Sequence, residues 1–110
     1  MNTLQAKFEI KLGEEMHEAH LSINAFRILT QKFGVKLADL DKYMGEDPLT
    51  ALPAIAYCGV LNCKMRKAEK FGMDFDQFCA LVLEDADSME RLTEAIGAAF
   101  GTEDEPEGND

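Results

Sequence analysis

Residues 47–70 read DPLTALPAIAYCGVLNCKMRKAEK, a run that predicts the central helix of the fold. Asp47 can cap this helix with its carboxylate, and Pro48 suits the first helical position because the N–H it lacks has no intrahelical partner there. The apolar residues form two stripes: Leu49, Leu52, Ala56, Val60 and Cys63 on one side, and Ile55, Cys58, Leu61 and Met65 on the other. A helix that is apolar on two sides is usually contacted from both flanks. We therefore expect a central helix that runs to about Lys70 and is ended by Gly72.

Two shorter helical segments are predicted before this central helix. Ser22 or Asn24 can cap the first, since either side chain can accept an N–H bond from the first turn. Its apolar stripe consists of Ala25, Phe26, Leu29 and Phe33. Gly34 follows and can stop the helix in the left-handed conformation. A short turn of helix from Leu37 to Tyr43 is expected next, ended by Gly45.

Two amphipathic helices are predicted after the central one. Asp74 with Gln77 resembles a capping box, and the helix it opens should reach about Asp85. Its apolar residues are Phe75, Phe78, Cys79, Val82 and Leu83. Asp87 with Glu90 resembles a second capping box for a last helix, whose apolar stripe consists of Met89, Leu92, Ala95, Ile96 and Ala99.

The N-terminal part has the two-residue alternation of a half-buried strand. Apolar and charged residues alternate strictly over residues 8–12, FEIKL. Residues 13–15 make a plausible loop, and Met16 to Leu21 would return as a second strand. The alternation is weaker there, so a helix that starts at Glu14 is the competing interpretation. The predicted fold class is mainly α with a minor β part, an N-terminal β-hairpin followed by a bundle of about five short helices.

The composition predicts one helical domain over residues 1–101 and a disordered acidic tail over residues 102–110. The chain has 110 residues and a net charge of −10. The last nine residues, TEDEPEGND, contain five carboxylates and no apolar or basic side chain. Such a segment cannot offset its ordering entropy by burial. Without those five charges, residues 1–101 carry only −5.

Charge and hydropathy argue against nucleic acid or membrane as partners. A net charge of −10 opposes binding to a phosphate backbone. The longest uncharged stretch, Pro48 to Cys63, has 16 residues and is interrupted by polar residues and proline, so we expect no membrane span. No basic-then-apolar N-terminal signal is apparent, and an odd count of three cysteines fits a reducing compartment. We expect a cytoplasmic protein.

The segment His17-Glu18-Ala19-His20 is the nearest approach to a catalytic motif. Zinc proteases place two histidines at i and i+4 of a helix, so that both imidazoles face one ion. The spacing here is one residue short of that. On a strand, the two rings would point to opposite faces. We therefore predict no metal, no cofactor and no catalytic residue.

The three cysteines are predicted to be small buried hydrophobic residues. Cys58 and Cys63 are five residues apart on the central helix, and Cys79 lies on another helix. None belongs to a CxxC pair, and no histidine is spaced to join them in a metal site.

The only cationic cluster consists of Lys64, Arg66, Lys67 and Lys70. Cations at the C-terminal end of a helix are favoured by the helix dipole, and this explains their placement without any function. The functional interpretation is a docking patch for an acidic partner or for the acidic tail of a neighbouring subunit. We take these four residues as the candidate partner-binding residues.

From residue 8 to residue 100, the order of predicted elements resembles the tail assembly chaperones of long-tailed bacteriophages and prophages. The resemblance is carried by the segments INAFRIL (23–29) and DPLTAL (47–52). It is also carried by the helix end Lys32-Phe33-Gly34, the Leu40-Asp41 turn and the helix opened by Met73-Asp74-Phe75. The family's fold matches the predicted hairpin followed by helices.

The resemblance implies a non-enzymatic function in the bacterial host cytoplasm. Members of this family bind the long tape-measure protein, keep it soluble and recruit tail-tube subunits around it. They are not retained in the finished virion. Many also exist in a longer form made by ribosomal frameshifting, which is a route by which the tail-tube protein could be engaged. We expect this chain to bind the tape-measure protein and to form homo-oligomers.

Two alternatives remain at the sequence level. The first is another acidic phage or mobile-element protein, such as a DNA-mimicking inhibitor, which would need carboxylates spaced like phosphates. The charge of −5 on residues 1–101 makes this the weaker choice. The second is a small metal-dependent enzyme that uses His17, Glu18 and His20.

Overall fold

A computed structural model describes residues 6–100 of the chain. Its elements, in order, are β1 (Ala6–Leu12), β2 (Glu15–Leu21), α1 (Ile23–Phe33), a 3-10 turn (Leu37–Asp39), α2 (Leu40–Glu46), α3 (Pro48–Arg66), α4 (Phe75–Val82) and α5 (Ala86–Phe100). The predicted fold class, mainly α with an N-terminal hairpin and five helices, is confirmed over these residues. The acidic tail predicted at residues 102–110 lies outside the described residues.

Strands β1 and β2 form an antiparallel hairpin, which excludes a helix starting at Glu14. Phe8 pairs with Ala19 and Ile10 with His17. The loop is Gly13-Glu14, and Gly13 adopts a φ of 68°, a conformation that glycine tolerates at no steric cost. Because this loop has only two residues, β2 begins at Glu15 rather than at the predicted Met16.

Helix α3 is the central element, as the two apolar stripes predicted. It contacts β2, α1, α2, α4 and α5. The buried residues on α3 lie on all sides, including Ala51, Ala54, Ile55, Val60 and Cys63. The core they share with the hairpin and the other helices includes Ile10, Leu21, Phe78 and Leu92. Among residues 6–100, no helix combines the length and the apolar content needed to cross a bilayer.

The predicted end of the central helix at Lys70 is wrong, since α3 ends at Arg66. Ala68 adopts a left-handed φ of 58°. The N–H of Glu69 donates to the Lys64 carbonyl at 2.8 Å, and the N–H of Ala68 donates to the Met65 carbonyl at 3.0 Å. These two bonds are the Schellman closure of a helix. The sequence prediction missed it because an alanine stands where glycine is usual.

The boundary between α4 and α5 also differs from the prediction. The side chain of Asp74 caps α4 as predicted, accepting the N–H of Gln77 at 2.8 Å. Helix α4 ends at Val82 rather than Asp85. Asp85 then caps α5 in place of Asp87, because its Oδ2 accepts the N–H of Ser88 at 3.0 Å.

The predicted caps and ends of α1, α2 and the start of α3 are only partly correct. Ser22 and Asp47 occupy the positions that precede α1 and α3, but neither side chain makes a capping hydrogen bond. Gly34 ends α1 with a left-handed φ of 71°, as predicted. Helix α2 passes the predicted stop at Gly45 and ends at Glu46.

Candidate functional site

Asn62 joins α3 to the hairpin and to α1. Its side chain is 1% exposed. Its amide nitrogen donates to the His20 carbonyl at 2.8 Å and to the Ser22 hydroxyl at 3.0 Å. Its carbonyl oxygen accepts from the Asn24 amide at 2.8 Å. A buried amide with all its groups partnered fixes how its neighbours meet, so Asn62 has a structural role.

Gly59, three residues earlier on α3, lets the helix approach β2 closely. A Cβ at this position would lie 3.2 Å from Leu21 Cδ2 and 3.3 Å from Ala19 Cβ. The neighbour at this close approach is therefore strand β2 rather than another helix.

The outer edge of β1 is covered by polar side chains of α5. The N–H of Lys11 donates to the Ser88 hydroxyl at 2.7 Å, and Arg91 Nε donates to the Glu9 carbonyl at 2.7 Å. Ser88 is fully buried, and its hydrogen bonds to Asp85 hold the pKa of that carboxyl below its ordinary value. Partners of this kind satisfy a strand edge that would otherwise be open to pairing.

The two histidines of the candidate metal motif do not converge. They are three residues apart on β2 and therefore lie on opposite faces of the hairpin. His17 lies beside Phe71, with 5.6 Å between ring centroids, and its Nε2 is 3.4 Å from Glu15 Oε1. His20 is 4% exposed and lies against the end of α3. Within residues 6–100, no group of three potential metal ligands comes together.

A polar cavity of about 220 Å³, which we call the β2–α3 cavity, lies beside His20. It is lined by Lys7, Glu18, His20, Cys63, Arg66 and Lys67. Glu18 Oε1 accepts from Lys67 Nζ at 3.2 Å and from the Cys63 thiol at 3.6 Å. These hydrogen bonds, that of Lys67 first, hold the pKa of Glu18 below its ordinary value, so Glu18 is a carboxylate at neutral pH.

The four candidate partner-binding cations have different surroundings in the structure. Lys64 pairs with Glu69 at 3.6 Å and Lys67 with Glu18 at 3.2 Å. Arg66 lines the β2–α3 cavity, whereas Lys70 does not. The sequence analysis missed Lys7, which β1 brings to the same cavity from the other end of the chain. No spacing pattern could have found it, because the two segments meet only through the hairpin.

Charged side chains on three elements, α3, β1 and β2, surround His20. Burial lowers the pKa of its imidazole, and the charges of Arg66 on α3 and Lys7 on β1 lower it further. The carboxylate of Glu18 on β2 acts in the opposite direction. His20 Nε2 is buried and has no hydrogen-bond partner within the described part of the chain.

Cys58 and Cys63 are buried, in agreement with the prediction, and Cys79 is half-buried. Burial raises the pKa of the Cys58 thiol to about 12, so it is protonated and unreactive at neutral pH. The pKa of Cys63 is also raised, first by burial and then by the charge of Glu18. These surroundings disfavour a nucleophilic thiolate at either position.

An apolar groove of about 190 Å³ lies between α1 and the 3-10 turn, and we call it the α1 groove. It is lined by Ile23, Phe26, Arg27, Thr30 and Leu37. Ile23 is 66% exposed and Leu37 is 46% exposed. The sequence analysis missed Ile23 because it precedes the apolar stripe of its helix and reads as part of the helix start.

The α1 groove and the β2–α3 cavity therefore differ in chemistry: the first is apolar with a polar rim, and the second carries three cations and one carboxylate. Comparisons of the chain with protein-family models, curated proteins and solved structures give no match.

Proposed function

We propose that this chain is a non-enzymatic phage tail assembly chaperone, which binds the tape-measure protein, keeps it soluble and promotes assembly of the tail tube. The resemblance in element order and in segments 23–29 and 47–52 supports this proposal. The observation that carries it furthest is the α1 groove, where Ile23 and Leu37 expose aliphatic side chains at one place. Exposed apolar side chains around a groove are typical of a protein-binding surface.

The α1 groove suits an apolar side chain of a partner helix. Ile23 and Leu37 provide aliphatic contact, while Arg27 and Thr30 provide a polar rim. This is the arrangement in which an amphipathic helix docks its apolar face into a groove. A tape-measure protein has long helical stretches whose apolar stripes are exposed before assembly, and it therefore has the chemistry that this surface would bind.

The small size of the α1 groove is compatible with such a partner. A groove of about 190 Å³ accepts few side chains, so one contact would be weak. Many copies bound along one long chain, or joined as a homo-oligomer, would bind more tightly through avidity. The net charge of −10 would keep such an array dispersed through repulsion between copies. The same proposal states that the chain acts in the host cytoplasm and is released before the virion is complete.

Co-expression with the tape-measure protein of the same phage or prophage tests the proposal. Ile23→Asp and Leu37→Asp place a charge in the α1 groove, and Leu49→Asp is the matched control. Leu49 is 72% exposed and lies outside the groove. All three side chains are in the first turn of a helix or of the 3-10 turn, where an acidic residue is favoured by the helix dipole.

We expect the wild type and Leu49→Asp to co-purify with the tape-measure protein and to keep it soluble. Ile23→Asp and Leu37→Asp should weaken binding by about 30-fold each, the loss expected when one aliphatic side chain no longer becomes buried. Equal binding by all four proteins, or a tape-measure protein that is equally soluble alone, contradicts the proposal. A changed oligomeric state in Ile23→Asp with unchanged partner binding would assign the groove to self-association instead.

A further inference from the structure

Among the described residues, two cations that line the β2–α3 cavity have no ionic partner. Lys67 is paired with Glu18, and the carboxylate of Glu18 is held by that contact and by the Cys63 thiol. Lys7 and Arg66 line the same cavity and have no acidic group within 4.0 Å among the described residues. A cavity with this composition has an excess of positive charge on a protein whose net charge is −10.

The geometry points to an oxyanion. We propose that the β2–α3 cavity binds a carboxylate or phosphate group between Lys7 and Arg66, and that the acidic segment 103–110 of the same chain supplies it. Lysine and arginine donate charge-assisted hydrogen bonds to such groups, and these are about twice as strong as neutral ones. The Glu18 carboxylate, which would otherwise repel the ligand, is already neutralised by Lys67. This site is on a different surface from the α1 groove and does not depend on the proposed function.

Helix α5, which precedes the acidic segment in the chain, packs against β1. Lys7 also lines a second cavity, together with Arg91, Glu94 and Ala98 of α5. Glu103 follows Phe100, the last residue of α5, by three residues, and three residues span at most about 11 Å. The five carboxylates of residues 103–110 thus follow in sequence soon after a helix that contacts β1, the strand that carries Lys7. A ligand joined to its site by a short linker has an effective concentration in the millimolar range, which is enough to occupy a weak ion site.

His20 provides a built-in reporter for the ligand. It lines the cavity, and the charges of Lys7 and Arg66 contribute to the lowering of its pKa. An anion bound between those cations would offset their effect on the imidazole, so His20 should gain a proton more readily when the site is occupied. His17 is the other histidine of the chain and lies on the opposite face of β2, where it reports general charge effects only.

The experiment measures the pKa of His20 by nuclear magnetic resonance at low ionic strength, on full-length protein without a histidine tag, and uses the His17 signals as a reference. One variant replaces the five carboxylates of the segment by amides (E103Q, D104N, E105Q, E107Q and D110N). Inorganic phosphate is then titrated into the wild type and into this variant. Arg66→Gln tests the site, and Lys70→Gln is its control, because it removes the same charge from an exposed position outside the cavity.

We expect the amide variant to lower the pKa of His20 at any protein concentration and to change the His17 signals less. Phosphate should then shift the His20 signals of the amide variant saturably. When Arg66→Gln is added to the amide variant, phosphate should bind about tenfold more weakly, whereas Lys70→Gln in the same protein should leave phosphate binding unchanged. Equal phosphate binding by wild type and amide variant would overturn the acidic segment as the ligand. An effect that vanishes on dilution would overturn binding within one chain. No response of His20 to phosphate in the amide variant would overturn the site itself.

Discussion

Asn62 and Arg66 lie about one turn apart on α3, yet their surroundings differ completely. Asn62 is buried, and its side chain makes hydrogen bonds to β2, to α1 and to the residue between them. Arg66 is exposed beside a polar cavity and has no ionic partner among the described residues. One helix thus serves the core up to Cys63 and exposes the charged side chain of its last residue, Arg66.

The largest expected effect comes from Asn62→Ala. The substitution leaves the His20 carbonyl and the Asn24 amide without their present partners. Since an unpaired buried polar group costs roughly 1–3 kcal/mol, we expect the free energy of unfolding to fall by about 3 kcal/mol. Denaturant unfolding measures this loss, with Arg66→Ala as the comparison, which should change stability by less than about 0.5 kcal/mol. Equal losses at the two positions would remove the distinction between them.

A second test concerns the close approach of α3 to β2 at Gly59. Gly59→Val would force its side chain against Leu21 and Ala19, and overpacking of this kind costs about 2 kcal/mol. Gly97→Val is the control, because Gly97 lies in α5 and has no atom within 4 Å of an added Cβ. Thermal unfolding should show a loss at Gly59 and little change at Gly97. A Gly59→Val protein as stable as the wild type would mean that the interface yields easily.

A smaller and opposite effect is expected just beyond Arg66, at Ala68. This alanine adopts a left-handed backbone, which costs an L-residue about 1–2 kcal/mol and costs glycine almost nothing. Ala68→Gly should therefore raise the free energy of unfolding by about 1 kcal/mol. Ala98→Gly, in an exposed helical position, should lower it by a similar amount. Destabilisation by both substitutions would contradict the Schellman closure at the end of α3.

The smallest effect is a dependence of stability on pH through His20. Burial, Arg66 and Lys7 lower its pKa below the ordinary 6.5, so the folded state binds this proton less readily than the unfolded state. The contribution is therefore fully present above about pH 6.5 and is lost as the pH falls from there towards the lowered pKa of the folded state. Unfolding measured between pH 7.5 and 5.5 should show a decline that His20→Gln reduces. An unchanged decline in this variant would remove His20 as its source.

Local sequence patterns predicted the helices and strands but not the candidate binding surfaces. The alternation at residues 8–12 and the paired stripes on α3 are direct consequences of strand and helix geometry, so they predicted the hairpin and the central helix. The end of α3 was missed because Ala68 adopts a conformation that its residue type does not indicate. The start of α5 was missed because two acidic residues, Asp85 and Asp87, offered equivalent caps, and the hydrogen bond to Ser88 selects the first.

The candidate sites depend on contacts between distant segments and could be predicted only in part. Arg66 and Lys67 were identified by their charge, but their cavity also needs Lys7 from β1. The α1 groove needs both Ile23 and Leu37, although 13 residues lie between them in the chain. An apolar side chain at a surface and one in the core have the same sequence pattern. The exposure of Ile23 and Leu37 could therefore be determined only from the structure.

Methyl-resolved nuclear magnetic resonance of the complex with the tape-measure protein addresses the proposed role at the level of single side chains. If the α1 groove binds an apolar stripe of that protein, the methyl signals of Ile23 and Leu37 should shift or broaden as the partner is added. The signals of Leu49, which is more exposed than either residue and lies outside the groove, should stay in place. A complex that forms with Ile23 and Leu37 unaffected, or no complex at all, would contradict the account.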